Sequence, residues 1–202
     1  MIGRAAFPVE ADPLTRTAAL KARPDLDLLS CRDFETAVRA VQTGDAEVCV
    51  FPDQSSVNGR VQDTYHLLPG CDLHIVREIF LRPPGDAKNC ESVTRFLVLA
   101  PDPVRRNDAE RTMKTTLVFD LENVAGALRG ALGAFAAEDL NLTRIESYTL
   151  GGRLHAARFL VDVDGAATEP AFARALKKLA KACGDVRVLG TYPNEQKTCP
   201  TP

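Results

Sequence analysis

Apolar positions in "RDFETAVRAVQTGDAEVCVFP" follow a helical period. Phe34, Ala37, Val38 and Val41 recur at i, i+3, i+4 and i+7, which predicts one buried helix face. Asp33 is placed to cap the start of that helix and Gly44 to stop it. The run "EVCVF" then reads as a short strand ended by Pro52. "LLSC" at 28–31 closes an earlier apolar run. "VQDTYHLL" predicts a further short helix, "LHIVREIFL" a strand partly buried on both sides, and "TRFLVLA" another strand after "RPPGDAKNCESV". Helices feeding strands in this way build an open α/β layer.

The pattern breaks at "APDPVRRNDAERTM", which is rich in Pro and charge and poor in apolar residues, and so predicts a linker over 106–113. Beyond it, "TTLVFDL" predicts a strand. "VAGALRGALGAFAAE" predicts a helix with Val124, Leu128, Leu132 and Phe135 on one face. "LNLTRIESYTL" and "RLHAARFLVDV" predict two strands around Gly151-Gly152, a hairpin signal. "TEPAFARALKKLAKAC" predicts a helix capped by Thr168, with Pro170 in its first turn and Phe172, Ala175, Leu176, Leu179 and Cys183 inward. "DVRVLGTYP" is a last strand. The order βαββαβ is that of a ferredoxin-like unit. The expected organisation is an α/β lobe over 1–105, a linker over 106–113, a βαββαβ domain over 114–193 and a disordered tail over 194–202.

Composition narrows the function. The chain has 202 residues, 45% apolar and 26% charged, with a net charge of -2. No half is strongly basic, so no nucleic-acid partner is expected. No run of 18 apolar residues predicts a membrane span, and the start lacks an apolar signal core, so the expected location is cytoplasmic. The six cysteines are irregularly spaced with no CxxC, which predicts structural thiols rather than disulfides or zinc. The three histidines, at 66, 74 and 155, are scattered, so no metal is implied, and no cofactor is expected.

Three stretches carry candidate chemistry. Gly126, at a strand-to-helix joint, allows close approach of backbone to a ligand, and helix-start N–H groups favour a carboxylate; a plain loop joint reads the same way. Glu146 interrupts a strand and either pairs with an amine or faces water. Thr94-Arg95 heads an apolar strand and, by itself, is a polar strand entrance.

Taken together, "NVAGALRGALGAFAAEDLNLTRIESYTLGG", "FLVDVDG" and "VRVLGTYP" resemble the regulatory ACT domain of prephenate dehydratases. Gly126-Ala127-Leu128 and Glu146-Ser147 match the two effector motifs of that family, with Tyr148 where Arg is frequent. Upstream, the stretch from Cys31 to Leu81 resembles the first catalytic lobe. Pro52-Asp53-Gln54-Ser55-Ser56, with Gly59, stands where the family has Pro-Ile-Glu-Asn-Ser and a Gly, so Gln54 replaces Glu and Ser55 replaces Asn. "FPVEADPLT" keeps Phe7 and Glu10 of a Gly-rich motif, has Thr15 for its Ser, and lacks its glycines. Thr94-Arg95-Phe96 matches the family's Thr-Arg-Phe signature. In the family that signature lies on the strand returning from a second lobe; here a short bridge replaces the lobe.

The resemblance implies a single lobe of a periplasmic-binding-protein-like (type II) catalytic domain, followed by the ferredoxin-like ACT domain. It implies conversion of prephenate to phenylpyruvate, carbon dioxide and water. Thr94 and Arg95 would be catalytic: Thr94 bonding the departing hydroxyl, Arg95 orienting a carboxylate or bracing the cleft. Gln54, Ser55, Ser56, Thr15 and Phe96 would contact substrate. L-phenylalanine would bind between paired ACT domains of a homodimer or tetramer, at Asn123, Gly126, Ala127, Leu128, Asn141, Leu142, Glu146 and Ser147. The alternative is a catalytically inactive relative that serves as an L-phenylalanine-binding regulatory or sensor dimer.

Overall fold

The computed structural model describes residues 3–9, 13–56, 59–60, 67–83, 92–104, 112–150 and 153–198. By packing, the chain divides into two units, 1–105 together with 193–202, and 106–192.

The first unit runs β1 (Arg4–Pro8), α1 (Thr15–Ala22), β2 (Asp27–Cys31), α2 (Phe34–Gln42), β3 (Val48–Ser55), β4 (Gly59–Arg60), β5 (His74–Leu81) and β6 (Thr94–Ala100). The sheet order is β2-β1-β3-β6-β5, with β4 paired to β3. β1 is parallel to β2 and β3, while β6 is antiparallel to both β3 and β5. α2 starts as its sequence predicts: Asp33 Oδ1 accepts the N–H of Thr36 at 2.8 Å, and Gly44, just past its end, has φ +82°, which glycine adopts without steric cost. Both faces of the sheet are covered. Ala18, Ala19 and Ala22 of α1 lie on Phe7, Val48, Val50, Phe96 and Val98. On the other face, Phe34 of α2 meets Phe51 edge-on at 4.4 Å between ring centroids. Small alanines let α1 seat closely over branched and aromatic strand residues.

β5 and β6 are direct antiparallel neighbours, with Leu81 opposite Thr94. β6 therefore runs alongside β5, and the twelve residues that join them, 82–93, are too few for a second α/β layer. The expected helix over "VQDTYHLL" falls largely on 61–66, outside the described residues; Leu68–Gly70 is a 3-10 turn. The expected tail, 194–202, is described as far as residue 198. Glu195–Thr198 is a 3-10 turn. It is held on β5 by the Glu195 carboxylate against Arg77 Nε at 2.8 Å, and by the Gln196 N–H, 3.4 Å from Glu78 Oε1. A charge pair and a backbone donor give these residues specific partners, which composition alone does not reveal. Residues 199–202 lie outside the described residues.

The second unit runs β7 (Met113–Glu122), α3 (Ala127–Ala136), β8 (Leu142–Leu150), β9 (Arg153–Asp164), α4 (Pro170–Ala182) and β10 (Val186–Pro193), in sheet order β10-β7-β9-β8. This is the βαββαβ arrangement the sequence predicts. Leu117, Phe119, Val161 and Val163 from the sheet pack with Ala131, Phe135, Phe172 and Leu179 from the helices. Leu150 pairs with Arg153, so the strands flank the predicted Gly-Gly turn, which itself lies outside the described residues. Two local expectations change. The α3 face is Ala131, Ala134 and Phe135; Val124 is exposed because the helix begins only at Ala127, after a left-handed Gly126, and Leu128 is exposed on its first turn. α4 is capped at Glu169, not Thr168, since Pro170 occupies its first helical position. Among the described residues no helix is long and apolar enough to cross a membrane.

Candidate functional site

The first site candidate lies at one edge of the first sheet. From β1 the chain passes through α1 to β2 on one side, and from β2 through α2 to β3 on the other. The carboxyl ends of β1 and β3 thus flank a topological switch point, where open α/β sheets hold ligands. Thr15 opens α1 at this edge, Ser55 ends β3, and Thr94 opens β6 directly opposite Ser55. Thr15 is 1% exposed, and its Oγ1 has no hydrogen-bond partner among the described residues. A buried hydroxyl left unmatched costs free energy unless something else fills the role, so it is a natural ligand contact.

Thr94 sits between two clamps. Before it, Ser56 Oγ accepts the Val93 N–H at 2.9 Å, and the Ser56 N–H donates to Val93 O at 2.9 Å. After it, Arg95 donates from Nε to Glu78 Oε2 at 2.9 Å and from Nη1 to Asp53 Oδ2 at 3.1 Å. Both carboxylates are fully buried and the Arg95 side chain is 6% exposed. Asp53 reaches Arg95 because β3 is irregular between Pro52 and Gln54, where its register with β6 shifts.

Of the two roles expected of Arg95, the brace is the one these contacts suit: its Nε and Nη1 reach Glu78 and Asp53 of the flanking strands. Phe96, expected against substrate, is fully buried in the core under α1, because alternation along β6 turns it onto that packed face. Gln54 is half-buried opposite Arg95 and Arg60. Asp53 and Glu78 escaped the sequence reading. Their one signal was an acid within each of two apolar strands.

The second candidate is in the other unit. Gly126 has φ +85°, and a Cβ built there meets nothing within 4 Å, so the demand for glycine is one of backbone conformation. The loop 122–126 and Leu128 to Gly130 are exposed at the start of α3, with Ala127 half-buried. No side chain caps that start. The Ala127 N–H donates to Val124 O at 3.2 Å, and the positive end of the helix still suits a carboxylate. β8 is an edge strand, and its Thr143, Ile145, Ser147 and Thr149 are exposed. Exposed Val124, Leu128 and Ile145 supply apolar surface. Glu122 pairs with Ala156 and Thr149 with Ala157, so the start of α3 and the carboxyl end of β8 share one end of the sheet, with β9 between β7 and β8. Glu146 and Ser147 are successive strand residues and point to opposite faces. Glu146 lies 3.7 Å from Arg144 Nε. Asn141 Nδ2 donates to Asp164 Oδ2 at 3.3 Å, and Leu142 packs against the core, so these two support the joint into β8.

Elsewhere, burial raises the Cys31 and Cys49 thiols above their ordinary range, and Cys183 to about 11, in line with packing roles. A cavity of about 270 Å³ lies beside α2, lined by Phe34, Val38, Leu67 and Cys71 with Glu35, Arg39 and Gln42.

Known proteins share this organisation. The prephenate dehydratase family model matches residues 14–82 and the ACT domain model residues 115–181. A bifunctional N-acyl-homoserine lactone acylase/prephenate dehydratase of Komagataeibacter europaeus is 28% identical over 254 aligned positions, covering 87% of this chain and 90% of the relative. That span is longer than this whole chain, so the relative holds a stretch with no counterpart here. A solved structure described as GqqA, a novel type of quorum quenching acylase, is 35% identical with TM-score 0.85 and covers 98% of each chain. The structure of prephenate dehydratase from Streptococcus mutans is 29% identical with TM-score 0.78, covering 95% of this chain and 98% of that one. With both domain models matched in order and these relatives spanning nearly its full length, the chain belongs to the prephenate dehydratase family and carries an ACT domain.

Proposed function

We propose that this chain is a cytoplasmic prephenate dehydratase, converting prephenate to phenylpyruvate, carbon dioxide and water, and regulated by L-phenylalanine at its ACT domain. The observation that carries the reading is Thr94, clamped by Ser56 on one side and by Asp53 and Glu78 through Arg95 on the other, at the sheet edge where Thr15 and Ser55 also lie. Aromatisation drives the reaction, so the protein need only help hydroxide leave and orient two carboxylates. The Thr94 hydroxyl is the positioned donor to the departing hydroxyl. Thr15, Gln54, Ser55 and Ser56 are the further polar groups of that edge. L-phenylalanine binds at the ACT domain with its carboxylate against the backbone of Gly126 to Leu128, its ammonium at Glu146 and its ring on exposed apolar surface, between paired copies of the chain. The assay is direct: purified protein with prephenate, followed by phenylpyruvate absorbance, with Thr94→Ala as the control. Turnover that the control loses supports the dehydratase. L-phenylalanine heat in calorimetry without turnover moves the assignment to a phenylalanine-binding sensor.

A second reading is amide hydrolysis of N-acyl-homoserine lactones, as the name of the Komagataeibacter relative describes for that protein. What favours it is the likeness to that relative and to the GqqA acylase structure, 35% identical over 98% of each chain. Release of free homoserine lactone, read by mass spectrometry, decides it.

A further inference from the structure

We infer that Asp53, Glu78 and the residues directly after β10 are positioning groups, holding the two threonine-bearing elements α1 and β6 in register; for Thr94 and Thr15 as reaction groups this rests on the dehydratase reading above. The tail docks on two adjacent residues of β5. Glu195 binds Arg77 Nε at 2.8 Å, and the Gln196 N–H lies 3.4 Å from Glu78 Oε1, a long contact, so the Glu195 pair is the anchor. Each of those β5 residues reaches a different element. Arg77 Nη1 donates to the carbonyl of Ala22, the last residue of α1, at 3.3 Å. Glu78 Oε2 accepts from Arg95, the second residue of β6, at 2.9 Å, and Arg95 continues to Asp53 of β3 at 3.1 Å.

α1 opens with Thr15 and β6 opens with Thr94. Two consecutive tail residues therefore bear on both threonine-carrying elements through one ion pair each. The guanidinium of Arg95 is a rigid fork, and two buried carboxylates on flanking strands fix its direction, leaving the start of β6 little freedom. A small displacement of a reacting group costs rate out of proportion to its size.

The test uses the full chain. A Glu195→Ala/Gln196→Pro variant removes the anchor and the backbone donor; Glu195→Gln keeps an acceptor for Arg77. Two readouts are taken: kcat and KM for prephenate, and amide hydrogen exchange, by mass spectrometry, of the peptide spanning Val93 to Phe96. The double variant should lower kcat about tenfold with KM within about twofold, and quicken exchange at Val93 to Phe96. Glu195→Gln should keep both near the unmodified chain. Unchanged kcat and exchange in the double variant overturn the inference, as does a lowered melting point with both intact. Glu195→Ala alone, read by the same criteria, serves if the double variant does not fold. If the unmodified chain turns over no prephenate, the dehydratase reading fails, and the exchange arm by itself decides the positioning role.

Discussion

Glu78 Oε2 accepts the Nε–H of Arg95 at 2.9 Å with both side chains shut away from water, so the arginine next to Thr94 ties β6 to β5. Removing one member of a buried ion pair strands the other charge. Arg95→Ala should destabilise the protein by about 3–5 kcal/mol, and Arg95→Lys, which keeps the charge but not the fork, by less. Urea unfolding checks this. An unchanged unfolding midpoint with a raised KM for prephenate would make Arg95 a substrate ligand instead.

Thr94 should behave in the opposite way. It is buried at the head of β6, but its main chain is held by the Ser56 clamp and the Arg95 brace rather than by its hydroxyl. Thr94→Val keeps the shape and removes the donor. We expect kcat for prephenate to fall by about 10²-fold or more, with stability changed by no more than about 1 kcal/mol. Equal turnover by the valine variant would remove Thr94 from the chemistry.

The second unit was readable because its apolar periods are long and its turns carry glycine. Every strand and helix of βαββαβ follows from periodicity, and misreadings were confined to ends, where Gly126 delays α3 and Pro170 moves the α4 cap to Glu169. The first unit was legible where period and cap coincide, as in α2 behind Asp33. β1 has only five residues, and α1 buries mainly alanines, so neither contrasts with loop composition; only packing against Phe7, Val50 and Phe96 defines them. The Thr94 signature was visible as letters. Its supports were not, since Asp53 depends on a strand irregularity and Glu195 on a partner more than a hundred residues away. Long-range polar pairs leave no periodic trace.

Gly126 offers a test of the effector platform that separates backbone strain from steric block. At φ +85° an alanine is strained, yet its Cβ would meet nothing within 4 Å. Gly126→Ala should therefore cost about 1–2 kcal/mol of stability through backbone strain alone. If the start of α3 receives the carboxylate of L-phenylalanine, the heat of binding should weaken as well, because the variant relaxes by shifting the N–H groups at that start. Gly130→Ala, inside the same helix with equally open surroundings, should bind as the unmodified chain does. Equal binding by both variants would place the effector elsewhere.

Asp33 gives a pH-dependent test of the first unit. Its carboxylate accepts from the Thr36 hydroxyl and N–H and pairs with Arg32, which lowers its pKa from 3.8 to about 2. A lowered pKa means that the folded chain binds this proton more weakly than the unfolded chain does. The cap's contribution is thus fully present above 3.8, the ordinary value, and is lost as pH falls toward about 2. Asp33→Ala should lower the urea midpoint at neutral pH, and the gap between the two chains should hold down to about pH 5 and narrow by about pH 3. Unfolding followed by circular dichroism at those two pH values measures the gap. A gap that stays constant would show that the cap acts through its shape and not through its charge.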